Sequence, residues 1–231
     1  MNAADAPPLG KTPVARKAAC TFSERYAGRT VLAVGAHPDD IELGIGATLA
    51  MLARSGARVV MAVCSVPGDY DVRRAEALDA ARILGCELRI LMDGGSRRIE
   101  DVKAYQLVGM IDEVVRELKP AAMLTHGSTD FHGDHVAVHH ASVPSQRLSC
   151  FDFYCYLPTM VRPVPVPFQP RAYIDVSTTI ETKIAAIAAH KSQFASRGIS
   201  FDYYREIAHL NGVMCGAEYA EGLDVGRIVF A

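Results

Sequence analysis

Short apolar runs alternate with amphipathic stretches along the first half of the chain. Three runs, 29–36, 57–66 and 121–125, are largely apolar, as in strands buried within a sheet, and a further strand is predicted over 87–92. Helical periodicity separates them and is clearest over Asp101–Leu118, where Val108, Ile111, Val115 and Leu118 share one face. Alternating strands and helices of this length predict right-handed βαβ units and a mostly parallel sheet.

Two more helices are expected between these strands. One is predicted over Ile45–Ser55 and the other over Val72–Leu84, with Leu78, Ala81 and Leu84 on its apolar face. Gly85 follows directly and is a typical helix end.

The second half of the chain is less regular. A helix is predicted to begin near Asp134 and a strand to span Ala172–Val176. Thr178 and Glu181 have the spacing of a capping box for a further helix. Five of the twelve prolines fall in Pro158–Pro170, which predicts a loop or an edge segment with extended backbone.

These elements predict one α/β domain. We interpret residues 1–28 as a flexible leader, rich in Ala and Pro and without the apolar core of a secretory signal. Residues 29–231 are then a single Rossmann-like three-layer fold, with helices on both faces and a ligand site at the carboxyl ends of the strands. The tail from Asn211 has weak periodicity and is assigned no element.

Composition limits the classes of partner. The 231 residues carry 24 basic and 26 acidic side chains without a basic block, which argues against nucleic acid and favours a small-molecule substrate. No run of eighteen apolar residues exists, so no membrane span is expected. Six scattered cysteines without a C-x-x-C pair predict free, buried thiols and a cytoplasmic location, although Cys150 and Cys155 could bridge a loop.

The chemistry begins where the first predicted strand ends. His37, Pro38, Asp39 and Asp40 follow the strand at once and place one imidazole and two carboxylates on a single turn. Such a turn can bind a metal ion and still leave a base beside it. The alternative is a helix N-cap, by Asp39 or Asp40, preceded by an incidental histidine.

A second cluster, His132-Gly133-Asp134-His135, follows the fourth predicted strand. Parallel strands present their carboxyl ends on the same side, so both loops can reach one crevice. His37, Asp40 and one histidine of this cluster would then leave coordination positions open, as in catalytic zinc sites.

Three other kinds of site share part of this residue pattern. His135 and His139 have i, i+4 spacing but lack the adjacent glutamate of the zincin motif. A dinucleotide site needs a glycine-rich first turn, whereas this turn carries two aspartates that would repel a pyrophosphate. A non-haem iron oxygenase also uses two histidines and one carboxylate, and only analogy of fold argues against it.

The two motifs together resemble the PIG-L/LmbE-like family of metal-dependent deacetylases, whose members remove N-acetyl groups from amino sugars. The resemblance covers roughly residues 31–194 and includes Arg73-x-x-Glu76, Asp93 and the His190–Gln193 segment HKSQ. Two positions depart from the family pattern: Ile41 stands where Glu is frequent, and Gly133 replaces a frequent Pro.

The resemblance implies that His37, Asp40 and His135 bind one divalent metal ion, zinc in the first place and iron(II) as the alternative. Asp39 is then the general base that takes a proton from the attacking water. His132 is the candidate donor to the carbonyl oxygen, with Asp134 orienting it.

Arg73 and Asp93 are candidate substrate-binding residues at the crevice rim. Their structural alternatives are a salt bridge at the helix start and a turn-forming aspartate. Roles for His126, His139, His140 and His190 stay open, as do those of the proline segment.

The expected function is removal of an N-acetyl group from a small GlcNAc-type amino sugar or its conjugate. The first alternative is an amidase of another amide, such as a thiol-sugar conjugate. The second is a non-catalytic binding module, against which the complete set of site residues argues because such a module needs no base. Whether the chain forms a homo-oligomer is left open.

Overall fold

The computed structural model describes residues 20–157, 167–195 and 200–230. Its strands are β1 Thr30–Gly35, β2 Arg58–Val63, β3 Glu87–Ile90, β4 Ala122–His126, β5 Asp152–Tyr156, β6 Ala172–Asp175 and β7 Ala220–Arg227. They form one sheet in the order β3-β2-β1-β4-β5-β7-β6. Strands β1 to β5 are parallel, while β7 runs antiparallel to both β5 and β6.

Helices cover both faces of this sheet. They are α1 Phe22–Tyr26, α2 Asp40–Arg54, α3 Tyr70–Leu84, α4 Ala104–Leu118, α5 Gly133–Ser142, α6 Ile180–Ala189, α7 Lys191–Phe194 and α8 Asp202–Cys215. One core packs α2, α3 and α6 on the first face, and a second core packs α4 and α5 on the other. The predicted three-layer α/β fold is confirmed.

Strand β1 shows why the apolar runs are continuous. Val31 and Ala33 point into the first core, whereas Leu32 and Val34 point into the second. All four side chains are buried, because a central parallel strand is covered by helices on both sides. The four predicted strands of the first half are therefore confirmed.

Helix α2 begins at Asp40, earlier than the predicted start at Ile45. Ile45 has non-helical backbone angles and kinks the helix. Beyond the kink, the Glu221 carboxylate accepts hydrogen bonds from the backbone N–H groups of Ala47 and Thr48. The first turn was missed because it is buried all round and shows no amphipathic period.

The end of the predicted leader belongs to the domain. Helix α1 begins with a capping box formed by Thr21 and Glu24. The fully buried Tyr26 hydroxyl donates to Asp152 at 2.6 Å and lies 2.8 Å from the hydroxyl of Tyr154. Residues 1–19 of the leader lie outside the described residues.

Several predictions differ from the structure, and some elements of the second half were not predicted. The capping box predicted at Thr178 is absent among the described residues. Thr179 is the N-cap of α6, and its hydroxyl donates to the Ala47 carbonyl rather than capping the helix. Strands β5 and β7 and helix α8 were not predicted. Leu78 of α3 is exposed, because Ala77, Ala80 and Ala81 occupy the buried face. Residues 158–166 of the proline segment lie outside the described residues.

All six cysteines are free thiols, including Cys150 and Cys155. Burial differs from the expectation, since Cys20, Cys150 and Cys215 are exposed. Among the described residues, no helix combines the length and the apolar character needed to span a bilayer.

Candidate metal centre

Two loops meet where β1 and β4 end. His37 follows β1 by two residues, and His126 is the last residue of β4, which pairs with β1. The backbone N–H of Ala36 donates to Nε2 of the buried His126 at 2.8 Å. This hydrogen bond joins the ends of β1 and β4, which precede the two clusters that are far apart in sequence.

Asp40 is the centre of this cluster. Its Oδ1 lies 3.2 Å from Nε2 of His135, and its Oδ2 lies 3.5 Å from Nδ1 of His37. The same Oδ2 accepts the backbone N–H of His37 at 2.8 Å. Burial opposes ionisation of Asp40, but the hydrogen bonds from His135 and His37 outweigh it and hold its pKa well below the usual range.

His135 is oriented by Asp130, a residue that the sequence analysis missed. Oδ2 of Asp130 lies 2.7 Å from Nδ1 of His135, and Oδ1 accepts the backbone N–H of His132 at 3.0 Å. A carboxylate on the far nitrogen of a metal-binding imidazole fixes its tautomer and leaves Nε2 to face the ion. No spacing rule identified Asp130, because the loop fold alone brings it under His135.

His37 is held between two carboxylates. Its Nε2 lies 3.0 Å from Oδ2 of Asp134, while its Nδ1 faces Asp40. Burial opposes protonation of His37, but the contacts to Asp134 and Asp40 raise its pKa to about 9. The Asp134 side chain therefore orients His37 rather than His132, which differs from the prediction.

Two groups of three side chains place their ligand atoms within 4.8 Å of one another: His37 with His132 and His135, and Asp40 with His126 and His135. In each group, one histidine has a ring nitrogen whose lone pair already accepts a backbone hydrogen bond. Nδ1 of His132 accepts the backbone N–H of Asp134 at 3.2 Å, and Nε2 of His126 accepts that of Ala36. The other ring nitrogen of each neutral imidazole then carries the proton and is a donor.

The protonation preferences agree with this tautomer argument. Burial lowers the pKa of His126 to about 3 and also lowers the pKa of His132, with help from the neighbouring imidazoles. Both rings are neutral at pH 7. Neither His37 nor His135 accepts a backbone N–H at a ring nitrogen among the described residues, and both rings face Asp40.

The charges of the cluster fit a divalent cation. Burial opposes protonation of His135, but Asp130 and Asp40 raise its pKa to about 10. With His135 and His37 protonated, two positive charges face the three carboxylates of Asp40, Asp130 and Asp134. A cation on the same lone pairs would replace those protons.

Asp39 has an unusual backbone and an unusual pKa. Its φ of 94° lies in a region that non-glycine residues rarely occupy. The side chain is buried, and it makes no cap hydrogen bond to α2. Burial first, and then the charge of Asp40, raise its pKa to about 7, against the opposing charges of His190 and Arg73.

Arg73 and Asp93 occupy different environments. Arg73 is buried and donates to the carbonyls of Pro67 and Pro38, the latter in the turn that carries Asp39. Asp93 is largely exposed, accepts the backbone N–H of Gly94 and lies 3.8 Å from Arg74. Of the two, only Arg73 adjoins the turn of the cluster in the contacts between described residues.

The HKSQ segment lies behind Asp39. Nε2 of the fully buried His190 lies 2.9 Å from Oε1 of Glu42, and these contacts raise the His190 pKa against the effect of burial. The N–H and hydroxyl of Ser192 both donate to Glu76 of α3. His190 is therefore a buried partner of α2.

The other histidines are settled by their contacts. Nδ1 of His139 lies 2.8 Å from the carbonyl of His126, so it supports the end of β4. His140 is exposed on α5. His139 belongs to neither of the two three-residue groups that could hold a metal ion among the described residues.

Comparison with known proteins gives the family. A family model described as PIG-L, GlcNAc-PI de-N-acetylase, matches residues 32–144. An Escherichia coli protein named uncharacterized deacetylase YaiS is 32% identical over 172 residues, which are 70% of this chain and 90% of that protein. The chain belongs to the PIG-L family.

A PIG-L relative with a named substrate aligns over most of both chains. The diacetylchitobiose deacetylase of Thermococcus kodakarensis is 28% identical over 223 residues, 84% of this chain and 82% of that enzyme. Such deacetylases are hydrolases that cleave an amide C–N bond.

The PIG-L fold is also similar to that of an enzyme with another activity. The crystal structure of GalB, the 4-carboxy-2-hydroxymuconate hydratase from Pseudomonas putida, superposes with a TM-score of 0.73 at 21% identity, covering 88% of this chain and 98% of that one. At this identity the similarity concerns the fold alone.

Proposed function

We propose that this PIG-L protein is a metal-dependent N-deacetylase that removes the acetyl group from a small GlcNAc-type amino sugar or its conjugate. The observation that carries the proposal is the buried Asp39, whose pKa of about 7 suits a general base at neutral pH. A protein that only binds a ligand gains nothing from a strained, buried carboxylate next to a cation site.

His37, Asp40 and His135 would hold the ion. Two imidazole nitrogens and one carboxylate oxygen suit zinc, and they also suit iron(II), which is the alternative. Asp134 and Asp130 support the two imidazoles from behind. When bound, a divalent cation acts as a Lewis acid that lowers the pKa of water and polarises a carbonyl group.

The protein side chains perform the proton transfers. Asp39 takes a proton from the attacking water and returns it to the leaving amine. His132 holds its proton on Nε2, because Nδ1 accepts the N–H of Asp134. It therefore donates a hydrogen bond to the carbonyl oxygen as negative charge develops there.

The substrate assignment rests on the family and on the surroundings of Asp39. The family model is described as a GlcNAc-PI de-N-acetylase, and the Thermococcus relative is named for diacetylchitobiose. Arg73 adjoins the Asp39 turn, and we retain it and Asp93 as substrate-binding candidates at the rim. The cytoplasmic location remains a prediction from the sequence, and the oligomeric state stays open.

Metal analysis of the purified protein coupled to an acetate-release assay tests the proposal. The panel contains GlcNAc, diacetylchitobiose and an inositol-linked GlcNAc, with N-acetyl amino acids as control amides. Zinc- or iron-dependent acetate release from a sugar supports it. Cleavage of the control amides alone would replace the deacetylase by an amidase. Addition of water to a conjugated enol acid, without acetate release, would replace it by a hydratase.

A further inference from the structure

A second cavity lies at the opposite edge of the sheet. Its volume is about 680 Å³, within the range of ligand pockets. Thr30, Ala121 and Cys150 line it, each at or just before the start of β1, β4 or β5. Because these parallel strands carry the metal cluster at their carboxyl ends, the cavity is separate from that cluster.

Basic side chains line this cavity. Arg29, Arg116 and Lys119 all contribute to its wall, and no carboxylate does so among the described residues that line it. Asp112 pairs with Arg116 at 3.5 Å but also binds Arg147 through a shorter contact. One carboxylate shared by two guanidinium groups leaves a positive charge, so the cavity attracts anions.

Ser149 adds a polar group without a partner. It lines the same cavity, and its buried Oγ has no hydrogen-bond partner among the described residues. Buried hydroxyls are normally hydrogen-bonded, and an exception calls for a missing partner such as a ligand or water. Its backbone carbonyl accepts from Arg227, which holds the loop before β5.

Lys119 stands where a helix normally ends in glycine. It is the C-cap of α4 with a φ of 45°, a left-handed conformation that disfavours a lysine side chain. Lys119 is exposed and lines the cavity from this left-handed position. The remaining wall includes Val115 and Leu148, which are apolar.

We propose that this cavity binds a small organic phosphate. A phosphate dianion presents three acceptor oxygens to the guanidinium groups and the ammonium, whereas a carboxylate presents two oxygens and one charge. The volume exceeds what phosphate alone needs, and Val115 and Leu148 accept an apolar portion. The ligand enters from the side of the sheet opposite the metal centre.

Calorimetric titration with phenyl phosphate at fixed ionic strength tests this site. We expect one saturable site in the metal-loaded protein. Arg29→Gln and Lys119→Gly should each weaken binding by roughly tenfold, the value of one lost charge-assisted hydrogen bond. Lys119→Gly is chosen because glycine prefers the backbone conformation found there, so misfolding does not explain a loss.

Arg82→Gln is the matched control, since Arg82 pairs with Asp79 on the exposed surface of α3 away from the cavity. His37→Gln controls for phosphate binding at the metal centre. Binding weaker than about 1 mM in the wild type overturns the proposal. The proposal is also overturned if His37→Gln loses phenyl phosphate binding while Arg29→Gln and Lys119→Gly bind it as the wild type does. Acetate release by the cavity variants shows independently whether the metal centre is intact.

Discussion

Asp39 and Asp40 are consecutive and both buried, yet their pKa values move in opposite directions. Hydrogen bonds from His135 and His37 keep Asp40 ionised, whereas burial and the charge of Asp40 outweigh His190 and Arg73 and raise the pKa of Asp39 to about 7. The turn after β1 thus separates a permanent anion from a proton acceptor. That separation is the physical basis of the predictions on the site.

Asp39→Asn should abolish turnover while the metal stays bound. The amide cannot take a proton from water, so we expect kcat to fall by roughly 10²- to 10⁴-fold. Acetate release and metal content of the same preparation measure the two effects. Normal turnover in Asp39→Asn would show that another group is the base.

Asp39 should also make the metal-free protein less stable as pH rises. Its folded pKa of about 7 exceeds the unfolded value of about 3.9, so the folded state retains a proton that the unfolded state loses. The free energy of unfolding of Asp39→Asn should therefore rise relative to that of the wild type between about pH 4 and pH 7. Above about pH 7 the difference between the two proteins should stay constant. Urea unfolding of both proteins across this pH range, with a chelator present, measures whether the variant is the more stable one.

His132 and His135 should separate into a donor and a ligand. His132→Gln is expected to retain the metal and to lose roughly 10²- to 10³-fold in kcat, as when one donor to the carbonyl oxygen is removed. His135→Gln should lose the metal itself. Metal titration of both variants tests these two roles, and loss of metal in His132→Gln would favour the group of His37, His132 and His135.

Asp130→Asn should weaken metal binding without removing any ligand. The carboxylate orients His135 through a 2.7 Å contact, and loss of such support typically reduces metal affinity by roughly 10- to 100-fold. Competition with a chromophoric chelator measures it. Asp93→Asn, an exposed aspartate, is the control and should leave the affinity unchanged.

Glu221 should be important for stability rather than for chemistry. It is buried, pairs with the buried Lys183 at 2.6 Å and accepts two N–H groups at the kink of α2. Glu221→Ala leaves these groups unsatisfied and should cost about 3–5 kcal/mol of the free energy of unfolding. Glu181→Ala, which breaks an exposed pair with Arg205, should change it by about 0–1 kcal/mol. Equal effects in urea unfolding would contradict this difference.

Much of the fold was predictable because its signals are local. The buried strands of the first half read as continuous apolar runs, and α4 has one clear apolar face. Strand β7 carries three polar residues and two glycines within Ala220–Arg227, so its sequence lacks such a run. Its place between β5 and β6 depends on partners that lie far away in the chain.

The sequence by itself determined that histidine and aspartate side chains follow both β1 and β4, and that they share one edge of the sheet, because parallel strands present their carboxyl ends on the same side. It left open which imidazole nitrogen is free. Only the tertiary structure decided this, since the Ala36 and Asp134 N–H groups occupy lone pairs of His126 and His132. It also brought Asp130 under His135, because hydrogen-bond partners depend on distance in space and not on spacing in the chain.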